Sequence, residues 1–390
     1  MADVRAFPAL RYTTRDLEPL LAPPYDVLSE AEVAAFQTRS PYNVVRLTRP
    51  GGDYEGAARL FQEWIASGVV AEAGAPAMFV HETTFAAPDA NGHGGPARSR
   101  TRLDLLAALR LQPYDDGVIL PHERTHRGPK EDRLALLRAT GVSFEPLWFL
   151  VEGLRELLEG APTGEVLEFA HAGERHRLRA VADASWTAAV NSALAPRQVL
   201  IADGHHRYET TLAYSEELGG GSDSSARFTL ALLTDLEDPG LVVLPTHRVL
   251  KSGVAVSGGE PAGSLEQTLA GIDHRVAAGY FRDGSFQVLP LEGEVPVVEL
   301  HRQVVDNILG RMSAEEALTY TRDAAEAVRM VEEGRGVAAF LLQAPDLQAV
   351  LRLARQGMTM PQKATYFYPK PPSGMVFHRL DPGRNLESRN

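Results

Sequence analysis

Val199-Leu200-Ile201-Ala202-Asp203-Gly204-His205-His206-Arg207-Tyr208-Glu209-Thr210-Thr211-Leu212 is the stretch that decides how this chain is read. The apolar run Val199 to Ala202 predicts a buried strand. A helical pattern follows, with Tyr208, Thr211, Leu212 and Ser215 on one face. Between the two lie Asp203, Gly204, His205, His206 and Arg207. Asp203 is placed to cap the helix, and Gly204 lets the backbone turn sharply and approach a ligand closely. His205, His206 and Arg207 fall in the first turn, where free N–H groups and the helix dipole favour an anion. Cationic side chains are unfavourable there unless something negative offsets them, and phosphate is the simplest such partner. The segment therefore predicts a phosphoryl-binding or phosphoryl-transfer site. The alternative is a helix start whose His and Arg only hydrogen-bond nearby carbonyls. Glu209 shares a face with His205, either orienting that imidazole or forming a surface ion pair.

Working outward, the 390-residue chain is long enough for two lobes, expected at 1–195 and 196–390. Short strands and helices alternate along it, which predicts an α/β, mixed α+β, fold. Ser29 with Glu32 forms a capping-box pattern for a helix from Glu30 to Phe36, and Tyr54 to Ser67 is a second helix. Val44 to Leu47 reads as a short strand, and Arg98 to Leu111 as strand or helix. Residues 86–96 read as a hairpin tip, and Ser252 to Gly263 as a flexible loop or lobe boundary. The net charge of −12 argues against nucleic acid and anionic membranes as partners. There is no cysteine, hence no thiolate zinc site and no cysteine nucleophile. The N-terminus has no apolar signal segment, and no apolar run reaches the length of a membrane span, so a cytoplasmic location is expected. Heavy use of Ala, Gly, Arg and Leu suits a GC-rich bacterial genome.

Other clusters compete for a role. Pro121-His122-Glu123-Arg124-Thr125, with Lys130, Asp132 and Arg133, crowds acid–base groups into one turn-rich segment. It is either a solvated charged loop or part of an active site, with His122 and Glu123 the catalytic candidates. Asp26 in Pro24-Tyr25-Asp26 and Asn43 in Pro41-Tyr42-Asn43 either hold turns through side-chain bonds or, for Asp26, supply a catalytic or metal-binding carboxylate. Lys363 and Lys370 flank Tyr366-Phe367-Tyr368; they frame a phosphorylated ligand or are surface cations beside half-buried tyrosines. The same choice applies to Thr246-His247-Arg248. No Walker loop or dinucleotide fingerprint is present.

Together these blocks resemble the domain-of-unknown-function family 1015. The resemblance runs over nearly the full length. It rests on Ala22-Pro23-Pro24-Tyr25-Asp26-Val27, Pro41-Tyr42-Asn43-Val44, His122-Glu123-Arg124-Thr125 with Lys130 and Asp132-Arg133, Ala202 to Thr210, and Met360-Pro361-Gln362-Lys363 through Lys370. At longer range, Asp203-Gly204-His205-His206-Arg207 is similar to the phosphate-binding motif of the ParB/sulfiredoxin superfamily, which includes partition proteins, sulfiredoxins and free-serine kinases. That similarity implies a ParB/sulfiredoxin-like core with large additional elements. It also implies phosphate contacts from Asp203, His205, His206 and Arg207, and Mg²⁺ near Asp203. The chain lacks the sulfiredoxin cysteine, and its acidity does not suit DNA binding. The kinase-like reading remains.

The expected function is transfer of phosphate from a donor such as ATP, ADP or pyrophosphate to a small hydroxylated metabolite, free serine being the implied example. Asp203, Gly204, His205, His206, Arg207, Lys363 and Lys370 would hold phosphate, with His206 also acting in catalysis. Glu123 or Asp26 would take the hydroxyl proton. The rival expectations are a phosphohydrolase or nuclease using the same site, a non-catalytic metabolite sensor, and a motif that only stabilises a helix end.

Overall fold

A computed structural model describes residues 1–88, 97–123, 127–253, 255–310 and 312–386. Its centre is a mixed nine-stranded sheet. The strand order is Ile119–Leu120, Val199–Asp203, Leu147–Val151, Phe228–Asp235, Arg98–Arg110, Met78–Ala87, Glu174–Val181 and Glu165–His171, with Val4–Arg5 also paired to Arg98–Arg110. Most neighbours are antiparallel; Val199–Asp203 runs parallel to Ile119–Leu120, and Phe228–Asp235 runs parallel to Leu147–Val151.

The central strands Phe228–Asp235 and Leu147–Val151 are buried at every position, because both faces of the sheet are covered. Alternate residues feed two cores. Leu105, Phe149, Ile201 and Leu233 pack with Trp186, Val190 and Leu194 of the helix Ala184–Leu194 on one side. Leu106, Trp148, Leu200 and Leu232 pack with Phe61 and Trp64 of the helix Tyr54–Ala66 on the other.

A second, antiparallel sheet of six strands is built from the later chain, in the order Glu260–Ala262, Ser285–Pro290, Ala277–Arg282, Ala338–Leu341, His247–Leu250 and Leu318–Thr321. The helices Leu265–Ile272 and Ala324–Glu332 cover one face of it. Its other face shares Tyr280 and Phe340 with the larger core. After this sheet the chain returns to segments from its first half that lie outside the large sheet: Phe377 bridges Leu10, Ser373 bridges Ala22, and His378–Arg379 pairs with Val142–Ser143.

The architecture is thus the expected α/β mixture, but the sheets divide the chain elsewhere than at 195/196. That boundary falls inside the large sheet, since Val199–Asp203 and Phe228–Asp235 are two of its inner strands. The smaller sheet starts only at His247.

Local signals explain most of the elements. Ser29 and Glu32 close a full capping box on the helix Glu30–Arg39. Arg98–Arg110 is a strand, and its residues 98–106 pair with 79–87 of the neighbouring strand. The expected hairpin tip between these strands falls mostly in 89–96, outside the described residues. Val45–Thr48 is a short helix rather than a strand. The Asn43 side chain decides this: its Oδ1 accepts the Val45 N–H at 2.9 Å, and its Nδ2 donates to the carbonyls of Pro19 and Leu21. Among the described residues, no helix is long and apolar enough to cross a membrane.

Buried charge is concentrated at one place in the large sheet. Arg102 Nε donates to Asp104 at 2.9 Å, Thr234 Oγ1 donates to Asp104, and His81 contacts His176 at 3.1 Å, all on inner strands. Arg102 also lies 4.2 Å from the Trp148 ring and donates to the Pro369 carbonyl, so this network ties the returning tail to the sheet.

Candidate functional site

The strand Val199–Asp203 ends at a cleft of about 510 Å³ that lies between the two sheets and under the returning tail. Gly204 makes the turn into the helix His205–Leu218 with φ 96° and ψ 29°, and it is the N-cap. The left-handed backbone requires glycine, and a Cβ there would sit 2.8 Å from Leu147 Cδ2. Asp203 is therefore not the cap. Its carboxylate turns sideways, taking Arg207 Nη2 at 2.9 Å on one oxygen and Lys370 Nζ at 2.6 Å on the other. Burial would raise its pKa, but Lys370 and Arg207 hold it down at about 2.

Both oxygens of Asp203 thus face cations already supplied by the chain. Among the described residues, no group of three or more His, Asp or Glu could hold a metal ion. A resident Mg²⁺ at Asp203 does not fit this donor set. Magnesium accompanying a nucleotide would arrive on the donor's phosphates, as part of the substrate.

Arg207 is nearly buried and faces inward. It donates to the Pro146 carbonyl at 2.9 Å and lies 3.7 Å from Glu145 Oε2. Glu145 in turn accepts the Tyr25 N–H at 2.9 Å and the Ser373 hydroxyl at 2.8 Å. Arg207 is therefore a strut between the strand end, the early turn and the tail. Lys370 plays a similar part, bridging Asp203 to Asp26 Oδ2 at 3.0 Å. The attraction of Asp203 and Asp26 outweighs the burial that would lower the Lys370 pKa, and raises it.

Of the expected cations, His205 is held neutral, and so is the nearby His122. His205 is buried, and its Nε2 accepts the His122 backbone N–H at 3.3 Å; burial carries its pKa well below the ordinary value. His122 lies behind the cleft wall, with its Nε2 2.8 Å from Thr365 Oγ1, and burial lowers it to about 4. His206 lines the cleft. Glu209 pairs with Lys130 and not with His205. Arg124, Thr125 and His126 lie outside the described residues.

Glu123 enters the cleft on a segment held in place by the tail: Met360 N–H donates to the His122 carbonyl at 2.8 Å. Burial raises its carboxyl to about 7, against the pull of Lys363, which approaches both by charge and through its backbone N–H. Lys363 is exposed, lines the cleft, and has a left-handed backbone with φ 56°. Its carbonyl accepts from Arg248 Nη2 at 3.1 Å.

The cleft therefore gathers Asp26, Glu123, Asp203, Gly204, His205, His206, Arg207, Lys363 and Lys370, and leaves His122 behind the wall. The opposite wall comes from the smaller sheet and includes Thr246, Tyr320, Arg322 and Glu326. Arg322 and Glu145 carried no local signal in the sequence, since an isolated charge in a polar stretch reads as surface. What remains chemically available is a carboxyl poised near neutrality, an exposed ammonium, a histidine, and the N–H groups of a helix N-terminus.

Residues 4–270 match the family described as protein of unknown function (DUF1015). No curated protein matches the chain. Among solved structures, a free serine kinase in complex with AMP is similar at 17% identity and a TM-score of 0.43, over 70% of this chain and 92% of that chain. A conserved hypothetical protein from Pyrococcus furiosus is similar at 17% identity and a TM-score of 0.39, over 72% of this chain and 96% of that one. A C-terminally truncated SbnI from Staphylococcus aureus is similar at 12% identity and a TM-score of 0.36, over 70% of this chain and 87% of that one.

Proposed function

The chain belongs to that family of proteins of unknown function, and from this premise we propose, on the chemistry of the cleft, that it is a phosphotransferase acting on a small hydroxylated acceptor. The observation that carries the reading is Glu123, a cleft carboxyl raised to about 7 by burial and set beside Lys363, in the same cleft as the first turn of the helix His205–Leu218. A general base works best with a pKa near the working pH. Phosphoryl transfer otherwise asks mainly for fixed positive potential around the moving group.

In the reaction, the terminal phosphate of the donor lies against the N–H groups of the helix start and Lys363. The acceptor oxygen bonds to phosphorus as the bond from phosphorus to the donor's bridging oxygen breaks. The acceptor's proton passes to the Glu123 carboxylate, and the donor leaves one phosphate shorter. Asp203, Arg207, Lys370 and Asp26 form the neutralised frame that sets the helix start against the tail. Asp26 is held by Lys370 and is the weaker candidate for the base. The donor is a nucleotide or pyrophosphate, and free serine is the first acceptor to test.

The test is a panel of ATP, ADP and pyrophosphate against serine and other small alcohols, followed by phosphorus NMR. A new phosphate monoester that needs both donor and acceptor is expected. Inorganic phosphate released equally without acceptor makes the protein a hydrolase. Donor binding without chemistry makes it a sensor. Absence of any phosphate-dependent stabilisation sinks the reading.

A further inference from the structure

Two buried polar atoms on the cleft wall have no partner. Thr246 is 6% exposed, lines the cleft, and its Oγ1 makes no hydrogen bond. Gln362 lines the same cleft, and its Oε1 is likewise buried and unpartnered. Buried polar atoms are nearly always paired, so sites that keep them unmet next to an open volume are built for a polar guest.

The two residues are brought together by Arg248, which is fully buried. Its guanidinium donates to the backbone carbonyls of Thr246, Gln362 and Lys363. Lys363 is the residue whose backbone N–H contacts Glu123. A single buried cation thus holds Thr246 and Gln362 in fixed relation to the proposed base.

Arg322 completes the wall. The strand pairing sets His247 opposite Thr321 and Arg248 opposite Tyr320, and Thr246 and Arg322, the residues that flank this paired end, both line the cleft. The Arg322 guanidinium lies 4.3 Å from the Tyr366 ring centroid, which fixes its plane at the cleft. It is exposed, and among the described residues no carboxylate pairs with it.

We propose that Thr246, Gln362 and Arg322 form the acceptor subsite, and that the acceptor is a small hydroxylated carboxylate. Arg322 takes the carboxylate in a charge-assisted contact, as guanidinium forks do. The Gln362 oxygen takes an N–H or O–H from the same molecule, and Thr246 bonds to either group. The reacting hydroxyl is left facing Glu123. This inference rests on the phosphotransferase reading for the word acceptor, but the binding site itself can be tested without turnover.

The experiment is calorimetric titration of serine, glycerate, ethanolamine and glycerol into the wild-type protein and into Arg322→Ala, Arg322→Lys and Thr246→Val, each checked for an unchanged melting temperature. ADP and pyrophosphate are titrated into the same samples. Serine, glycerate or both should bind, and ethanolamine and glycerol should not. Arg322→Ala should weaken acid binding by at least about 10-fold, with partial rescue in Arg322→Lys, while affinity for ADP or pyrophosphate holds. The proposal is overturned if neither acid binds, if the carboxylate-free compounds bind as tightly, or if Arg322→Ala binds the acids as the wild type does, in which case Thr246 and Gln362 are satisfied by water alone. Acid binding with no donor binding removes the phosphotransferase reading and supports the acid subsite. Donor binding with no acid binding does the reverse.

Discussion

The two walls of the cleft are built on opposite plans. The wall at the end of the strand Val199–Asp203 carries most of the charge, and nearly all of that charge is satisfied within the protein: Asp203 by Arg207 and Lys370, Lys370 also by Asp26, and Arg207 also by the Pro146 carbonyl. The wall supplied by the smaller sheet carries less charge but keeps unpartnered atoms on Thr246 and, from the tail beside it, Gln362. The comparison teaches that a dense run of His, Asp and Arg marks where a site is framed more reliably than which groups hold the ligand. Ligand-holding capacity lies where hydrogen-bonding groups remain unmet beside open volume.

The sharpest way to break this contrast is at Glu123, which stands between the walls. Glu123→Gln keeps the shape and removes the base, so transfer to the acceptor should fall by roughly 10²–10⁴-fold while the melting temperature stays the same or rises. In the wild type, the carboxyl must be ionised to accept a proton. Activity should therefore climb as pH rises through about 7, and this step should be missing from the residual rate of the variant. An unchanged rate in Glu123→Gln removes it as the base.

The frame itself is tested by Arg207→Ala. Losing this guanidinium leaves the buried Glu145 without its cation and Asp203 with Lys370 alone. The expected cost is about 3–5 kcal/mol of stability, read by chemical denaturation, with donor affinity lost only as a consequence of unfolding or distortion. A stable variant that merely fails to bind phosphate would reverse the assignment and make Arg207 a ligand.

The smallest effect separates buried neutral histidines from titrating cleft cations. Burial lowers His122, His171, His247 and His378 to about 4. An unfolded histidine binds its proton near pH 6.5, so the stability these residues contribute is complete above that value and is lost as pH falls toward about 4. Glu123 and Glu174, raised to about 7, work in the opposite sense, gaining relative stability as they are protonated. The lowered histidines, which also include His176 and His205, outnumber them, so a net loss of stability between pH 7 and pH 5 is expected from denaturation curves. Stability that is flat or rising over that interval would show that burial does not hold these imidazoles below their ordinary value.

Much of the large-sheet wall was legible in sequence because its signals are local. An apolar run, a glycine and a helical pattern specify strand, turn and helix through backbone geometry alone, and that is how Val199 to Leu218 folds. The capping box at Ser29 is local in the same way. The strand pattern of Val44 to Leu47 gives way to the helix Val45–Thr48 because one side chain, Asn43, organises the turn from outside the segment. Nothing near residue 195 reveals that the following strand enters the middle of a sheet begun far earlier in the chain.

The sequence alone determined the α/β character, the turn at Gly204, and the set of acid–base residues from which the cleft is drawn. Only the tertiary structure decided which of those residues are already neutralised. It also decided that Asp203 faces the Arg207 and Lys370 cations, and that Thr246, Gln362 and Arg322 line one cleft. The physical reason is that helix and turn formation depend on neighbours within a few residues. Charge pairing, burial and unmet hydrogen bonds depend on partners that are distant along the chain: Lys370 meets Asp26 and Asp203, and Arg248 meets Gln362 and Lys363, only after both sheets have formed and the tail has crossed between them.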